Sequence, residues 1–438
     1  MTKVDFILRA DYLLTMEGDL SAIRDGAVAV TGKIITDIGT FADISGKYTS
    51  KKTLGGKGRV IFPGLINTHT HAAMVYFRGL ADDLPLNEWL EKYIWPAETK
   101  WLSNEFVSDA VELACLEMLK AGITTYCDMY FYSDAVAGAT EKAGMRAVLG
   151  AGILDSPTKF ASTTDEYFEN AERFINDWTG KETITPCIAP HATYTCGPEA
   201  FKRAVEVAER HDIPMHTHLS ETKWELSEIK KRYGKTPVEY LDSTGFLNKR
   251  LNAAHCVWLT EREIEILAER KVGVSHCIES NLKLASGIAP VTKMLSAGVK
   301  LGLGTDGAAS NNDLNILSEM STAAKLHKAV SEDPTAVDSK TALLMATRWG
   351  AEVLGMEDKI GSIRPGKRAD LVIANLESPH LTPIYDIYSV ITYSMRPSDV
   401  ETVVVNGKIV VDNSELVTMD ESEIITNARK WQEKIRGQ

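Results

Sequence analysis

Apolar and polar positions follow two regimes along the chain. In the middle, short apolar runs end in polar residues, and each is followed by a stretch with amphipathic spacing. Eight such runs are present: Val60–His71, Ile123–Asp128, Ala147–Leu154, Ile184–His191, Pro214–Glu221, Asn252–His255, Val272–His276 and Val299–Asp306. Runs without strict alternation suit strands covered by helices on the outside, as in a parallel sheet. Between them, Glu105–Lys120 keeps its apolar residues at three- and four-residue spacing. Thr260 with Glu263 has the spacing of a capping box, and Gly122 and Gly298 stand where a helix-terminating glycine belongs. Eight βα units in about 300 residues predict an α/β protein built on a TIM-type (β/α)8 barrel.

Both ends of the chain read as antiparallel β structure. Gly26–Val30 and Lys33–Ile38 flank Thr31-Gly32, and Val403–Val405 and Lys408–Val411 flank Asn406-Gly407, the favoured dipeptide of a type I′ turn. A further strand, Ala369–Ile373, follows the turn-rich Arg364-Pro365-Gly366-Lys367. Neither end has enough strands to bury a sheet face alone. The expectation is one small β-sandwich assembled from residues 1–62 and 363–438, with a barrel over 63–362 inserted between them. Helical spacing and dense charge over Asp420–Ile435 predict a surface helix within the composite domain.

Composition narrows the function. The 438 residues are 44% hydrophobic and 25% charged, which excludes disordered and fibrous chains. Sixty Asp+Glu against 48 Lys+Arg give a formal charge of −12, which argues against a general nucleic-acid binder but admits a nucleoside-sized ligand. There is no apolar run of membrane-spanning length, and the opening Met1–Phe6 lacks a secretory core. The six cysteines are scattered without a Cys-x-x-Cys pair, as in reduced thiols. A cytoplasmic protein that engages neither membrane nor nucleic acid is expected.

The histidines point to the chemistry. Of ten, His69, His71, His191, His216, His218, His255 and His276 fall in the strand runs, mostly at their C-terminal ends, where barrel active sites are built. A lone histidine there is more often structural; seven converging on one rim are hard to assign to packing. His69-Thr70-His71 places two imidazoles on one face of a strand. Taken alone the spacing is a modest signal, strengthened here by its place on the first barrel strand. His218 ends the fifth run and Asp306 the eighth. Three neutral imidazoles and a carboxylate suit Zn²⁺ or Fe²⁺, with a position left for water.

On these residues the sequence resembles the amidohydrolase superfamily, and within it the 5′-methylthioadenosine/S-adenosylhomocysteine deaminases. The resemblance covers Pro63–Asn315 at least, together with the split sandwich. Its most specific stretches are Asn67–Glu98, Asp128–Phe131, His216–Glu221, Ser280–Gly287 and Asp306–Asn312. It implies one divalent metal ion per subunit, most readily Zn²⁺, held by His69, His71, His218 and Asp306. The fourth run offers His191 and no lysine for a second ion.

Charge flow assigns further roles. Deamination of an adenine ring needs hydroxide at C6, a proton on N1 and a proton for the departing ammonia. A bound ion lowers the pKa of water toward 7. Asp306 can take the water's proton, Glu221 can protonate N1 and then the amine, and His255 can hold the attacking oxygen. The resemblance also implies that Glu98 receives ribose hydroxyls and His191 contacts the nucleoside. By itself, Glu98 reads as an ordinary exposed carboxylate. Trp89 is expected to line the pocket, with plain lid packing as an equally good reading. His216 is assigned to the barrel interior and His276 to support of the rim.

Several members of this family carry an arginine just after the third strand, suited to an amino-acid carboxylate. Val148–Leu154 has none, and nearby Lys159 lacks the bidentate fork. The expectation is turnover of 5′-methylthioadenosine, 5′-deoxyadenosine or adenosine, with S-adenosylhomocysteine less secure. The competing enzymatic reading is deamination or dechlorination of s-triazines or another heterocycle. Glu221 argues against dechlorination, since chloride leaves without a proton. A barrel that had lost its metal and serves only as a scaffold would lack ligands that are present here. Relatives commonly associate, so a homo-oligomer is expected.

Overall fold

The computed structural model describes residues 1–437. Its centre is a sheet of eight parallel strands: Leu65–Thr70, Ile123–Tyr130, Arg146–Ile153, Ile184–Pro190, Met215–Leu219, Leu251–His255, Gly273–His276 and Lys300–Leu303. Each pairs in parallel with the next. The cylinder closes where the first and eighth meet. Asp306 N donates to His69 O (3.0 Å), and the Thr68 and Thr70 hydroxyls donate to Leu303 O and Asp306 O (both 2.9 Å). A Cβ at Gly304 would lie 2.9 Å from both the Cβ and the N of His69, so this approach requires glycine.

The expected helix signals are present. Asn104–Lys120 is a helix capped by Ser103, Thr260 and Glu263 form both halves of a capping box, and Gly122 and Gly298 have φ of +82° and +80° after their helices. The apolar run Val60–His71, however, is not one strand. Lys52–Pro63 belongs to the terminal sheet, pairing Pro63 with Leu371, and the barrel strand starts at Leu65. Gly64 N donates to Asp370 O and Leu65 N to Gly122 O (both 2.9 Å), so the backbone changes sheets within two residues. Strands of both sheets are buried here, so hydropathy does not mark the switch.

The second sheet also has eight strands, drawn from both ends of the chain. In spatial order they are Glu415–Leu416, Lys408–Asp412, Val400–Val405, Leu371–Asn375, Lys52–Pro63, Phe6–Leu13, Ile23–Thr31 and Ile34–Thr40. The sheet curls on itself as a small sandwich. Leu8, Leu13, Val28 and Ile61 share a buried cluster with Leu371, Ile373 and Val404, and the two hairpin turns touch at Gly32 and Gly407. Asn406 and Gly407 both have positive φ, as a type I′ turn requires. The other face packs on the barrel through residues such as Phe62, Val372 and Val403. Arg146, on the third barrel strand, donates to both carboxylate oxygens of Asp370 (2.9 and 3.2 Å) in a buried pair that ties sandwich to barrel.

The C-terminal helix Glu421–Arg436 is charged but not merely superficial. Ile424 and Trp431 are buried, and Trp431 Nε1 donates to Asp109 of the Asn104–Lys120 helix (2.8 Å). No helix among the described residues is long and apolar enough to cross a membrane. All six cysteines are free and buried.

Candidate metal and substrate site

The C-terminal ends of the first, fifth and eighth strands bring His69, His71, His218 and Asp306 together, with one ligand atom from each within 4.8 Å of all the others. Their outer hydrogen bonds decide which ring nitrogen faces inward. His71 Nδ1 and His218 Nδ1 donate to the carbonyls of Met129 (2.6 Å) and His191 (2.7 Å). His216 Nδ1 donates to Asn252 O (2.7 Å), which leaves its Nε2 to accept from His69 Nδ1 (2.7 Å). All three candidate ligands therefore present an unprotonated Nε2 to one point.

Such an arrangement lacks a partner of its own. His71 Nε2 faces His218 Nε2 at 3.2 Å, and both His69 and His71 Nε2 stand 3.3 Å from Asp306 Oδ1. His69 Nε2 is buried with no hydrogen-bond partner. Burial holds the imidazoles below their ordinary pKa, His69 and His218 well below. Burial works to raise Asp306, but His69 and the other imidazoles outweigh it and keep the carboxyl well below the usual range. Neutral imidazoles aimed at an ionised carboxylate fit a divalent cation. Ser280 and Ser310 donate to Asp306 Oδ2 (2.6 and 2.9 Å), and Gly307 N to Oδ1 (2.8 Å).

Glu221 and His255 stand beside this group, with His255 Nε2 3.8 Å from Glu221 Oε2. Both are buried, and the backbone that delivers them is unusual: Ser220, His255 and Asp306 all have positive φ (52°, 73° and 61°). Burial raises the Glu221 pKa against the opposing charge of His255. For His255 burial acts downward, but Glu221 and Asp306 outweigh it and raise the imidazole. Asn281 Oδ1 accepts from His255 Nδ1 (2.9 Å), and Ser286 donates to Glu221 Oε1 (3.2 Å).

These groups floor a cavity of about 270 Å³. Its roof is the helical segment Leu86–Trp101 with the loop after the third strand, and Leu86, Trp89, Leu90, Ile94 and Phe160 make that end apolar. Trp89 both lines the cavity and packs in the lid, its Nε1 donating to Ala81 O (3.1 Å). His191 also faces the cavity, bonded to Thr195 Oγ1 (2.9 Å), with its pKa pushed down by burial to about 3. Glu98 is half-buried; burial lifts its pKa to about 7, against a hydrogen bond from Tyr130. Lys159 lines the cavity, but its Nζ donates to Lys100 O (3.3 Å). His216 lies inside the barrel, and His276 is paired with His327 (2.9 Å), outside the metal group.

Sequence reasoning gave no role to Ser280, Asn281, Ser286, Ser310, Tyr130 or Glu225. Glu225 stands three residues after Thr222, the pattern of a helix cap. Thr222 does cap, but the buried Glu225 carboxylate instead accepts from Ser220 N, Glu221 N and Thr193 Oγ1 (3.1, 2.8 and 2.7 Å). It thus holds the turn that presents Glu221.

The Amidohydrolase family model matches residues 60–410. The chain is 53% identical over 434 residues to a 5-methylthioadenosine/S-adenosylhomocysteine deaminase of Thermodesulfovibrio yellowstonii, covering 99% of each chain. It is 44% identical over 433 residues to a 5′-deoxyadenosine deaminase of Methanosarcina acetivorans, covering 98% of each. Among solved structures, an adenosine deaminase from Xanthomonas campestris with bound zinc superposes with a TM-score of 0.98 at 41% identity, over 100% of both chains. An atrazine chlorohydrolase from Arthrobacter aurescens shares the fold at 24% identity, with a TM-score of 0.91 over 98% of this chain and 100% of its own.

Proposed function

The chain belongs to the amidohydrolase family, and from that premise we propose that it hydrolytically deaminates adenosine-type nucleosides at C6, releasing ammonia. The observation that carries the reading is the convergence of Glu221 and His255 with the four-ligand group in a cavity that Glu98 also lines. Relatives named for 5-methylthioadenosine, S-adenosylhomocysteine and 5′-deoxyadenosine support this reading over a triazine hydrolase.

His69, His71, His218 and Asp306 would hold one divalent ion, and the zinc in the Xanthomonas campestris structure favours Zn²⁺. When bound, the ion supplies Lewis acidity that brings the pKa of a water toward neutrality. Asp306, an ionised carboxylate, accepts the proton that this water gives up. His255, fixed by Asn281, holds the attacking oxygen over C6. Glu221, kept protonated more readily by burial, gives its proton to ring N1. It recovers one from the oxygen added at C6 and passes it to the departing amine, and the proton held on Asp306 then restores Glu221. His191 and Trp89 border the nucleoside, and Glu98 accepts from the ribose hydroxyls.

Lys159 is the only lysine or arginine lining the cavity among the described residues, and it is engaged with the lid backbone. The apolar roof suits a methylthio or deoxy group at the 5′ position. The test is the absorbance change from adenosine to inosine chromophore on Zn-loaded protein. 5′-Methylthioadenosine, 5′-deoxyadenosine and adenosine should turn over, with S-adenosylhomocysteine lower in kcat/KM. Glu221→Gln should lose at least about a thousandfold in kcat with metal retained. Absence of turnover by metal-loaded wild type on all four nucleosides would return the triazine reading.

A further inference from the structure

Glu98 reaches the cavity from the lid helix Trp95–Trp101, and among the described residues its carboxylate has one hydrogen-bond partner. Tyr130 Oη donates to Glu98 Oε1 at 2.7 Å. Tyr130 is itself only 5% exposed and ends the second barrel strand. The residue before it, Met129, accepts the Nδ1 proton of His71 through its carbonyl (2.6 Å). Two successive residues of one strand thus fix a ring of the metal group and a second carboxylate that lines the same cavity.

We infer that Tyr130 is the positioning residue through which Glu98 reads the sugar, and that the pair sets the preference for ribonucleosides over 2′-deoxyribonucleosides. The inference rests on the nucleoside reading of the site. A carboxylate only accepts, and a ribose offers two adjacent hydroxyl donors. With Oε1 held by the phenol, Oε2 and the remaining lone pair face the sugar in a fixed direction. Burial works toward protonating Glu98, and the Tyr130 hydrogen bond opposes it, favouring the ionised form that only accepts. Tyr130 also ties the lid helix to the barrel, so the carboxylate stands at a set distance from the metal group. Without the phenol oxygen, Glu98 would be free to turn and more readily protonated. The site would then lose its means of telling a hydroxyl from a hydrogen at the 2′ carbon.

The experiment compares kcat/KM for 5′-methylthioadenosine and its 2′-deoxy analogue on Zn-loaded wild type, Tyr130→Phe, Glu98→Gln and the double variant. Wild type should favour the ribonucleoside at least about tenfold, the value of one charged hydrogen bond. Tyr130→Phe should shrink that preference about tenfold, mostly through KM, and Glu98→Gln as far or further. The double variant should match Glu98→Gln, because Tyr130 acts through Glu98. A fraction of misfolded protein scales both substrates alike and leaves the ratio untouched. An unchanged ratio in Tyr130→Phe, or a further shift in the double variant, overturns the inference. Should Tyr130→Phe not fold, an unchanged ratio in Glu98→Gln overturns it just as well. Failure of wild type to turn over either nucleoside overturns the nucleoside reading, and this inference with it. Turnover by wild type with the ratio unchanged in Tyr130→Phe overturns the role of Tyr130 and leaves the nucleoside reading standing.

Discussion

His216 touches no ligand point, yet it decides how His69 presents itself. Its Nδ1–H is committed to Asn252 O, so its Nε2 can only accept, and His69 is forced into the tautomer with a free inward Nε2. His216→Leu removes that acceptor from a buried site. It should weaken metal binding about 10- to 100-fold in chelator competition, while His216→Gln, which keeps an acceptor oxygen, should lose less. His69 and His71 were legible in the sequence because their spacing equals the period of a strand. His218 and Asp306 were legible because each ends an apolar run. Tyr130 was not, because its bond to Glu98 joins a strand to a lid helix with no spacing to reveal it. Glu225 was masked by a genuine capping pattern: the threonine caps, and the carboxylate turns the other way to hold the backbone at Glu221.

At the level of elements, the seam between the first and eighth strands is the tightest constraint near the site. Gly304→Ala puts a methyl group 2.9 Å from both the backbone N and the Cβ of His69. Backbone on one side cannot give way as a side-chain tip would. Equilibrium urea unfolding should show a loss of about 1–3 kcal/mol, and the strand shift needed to relieve the clash should lower metal affinity as well. Helix ends were readable from sequence here, because caps depend on one or two local residues. The split of Val60–His71 into strands of two sheets was not. Hydropathy reports burial, and both strands are buried; what separates them is a change of hydrogen-bond partner at Gly64.

For the whole molecule, buried histidines outside the metal group shape the response to acid. His327 is buried on the helix Ile316–Ser331, with its pKa pushed down by burial to about 4. The unfolded chain takes up that proton below about pH 6.5, whereas the folded state resists until about 4. The folded state therefore binds fewer protons in this window, and stability falls as pH drops through it. The metal-loaded wild type should lose more stability between pH 7 and 5 than His327→Gln, by roughly 2 kcal/mol, measured as the change in urea unfolding free energy. Barrel and terminal sheet were both foreseeable from hydropathy. The buried Arg146–Asp370 pair that joins them was not, since residues so distant in sequence meet only in the finished fold.

The order of strands in the terminal sheet carries a consequence for biosynthesis. The strand ending at Pro63 pairs with Phe6–Leu13 on one side, but its other neighbour is Leu371–Asn375, so one edge of this N-terminal half-sheet waits for a partner some 300 residues later. At 5–20 residues per second, that is a delay of about 15–60 s. Throughout it Val60, Ile61 and Phe62, fully buried in the finished molecule, lie on an open sheet edge. Asp306 likewise emerges long after His69 and His71. The nascent chain therefore holds an unpaired strand edge and an unfinished candidate ligand set together, and they are resolved only once Asp306 and then Leu371–Asn375 have been made. Chaperone demand should concentrate in that interval.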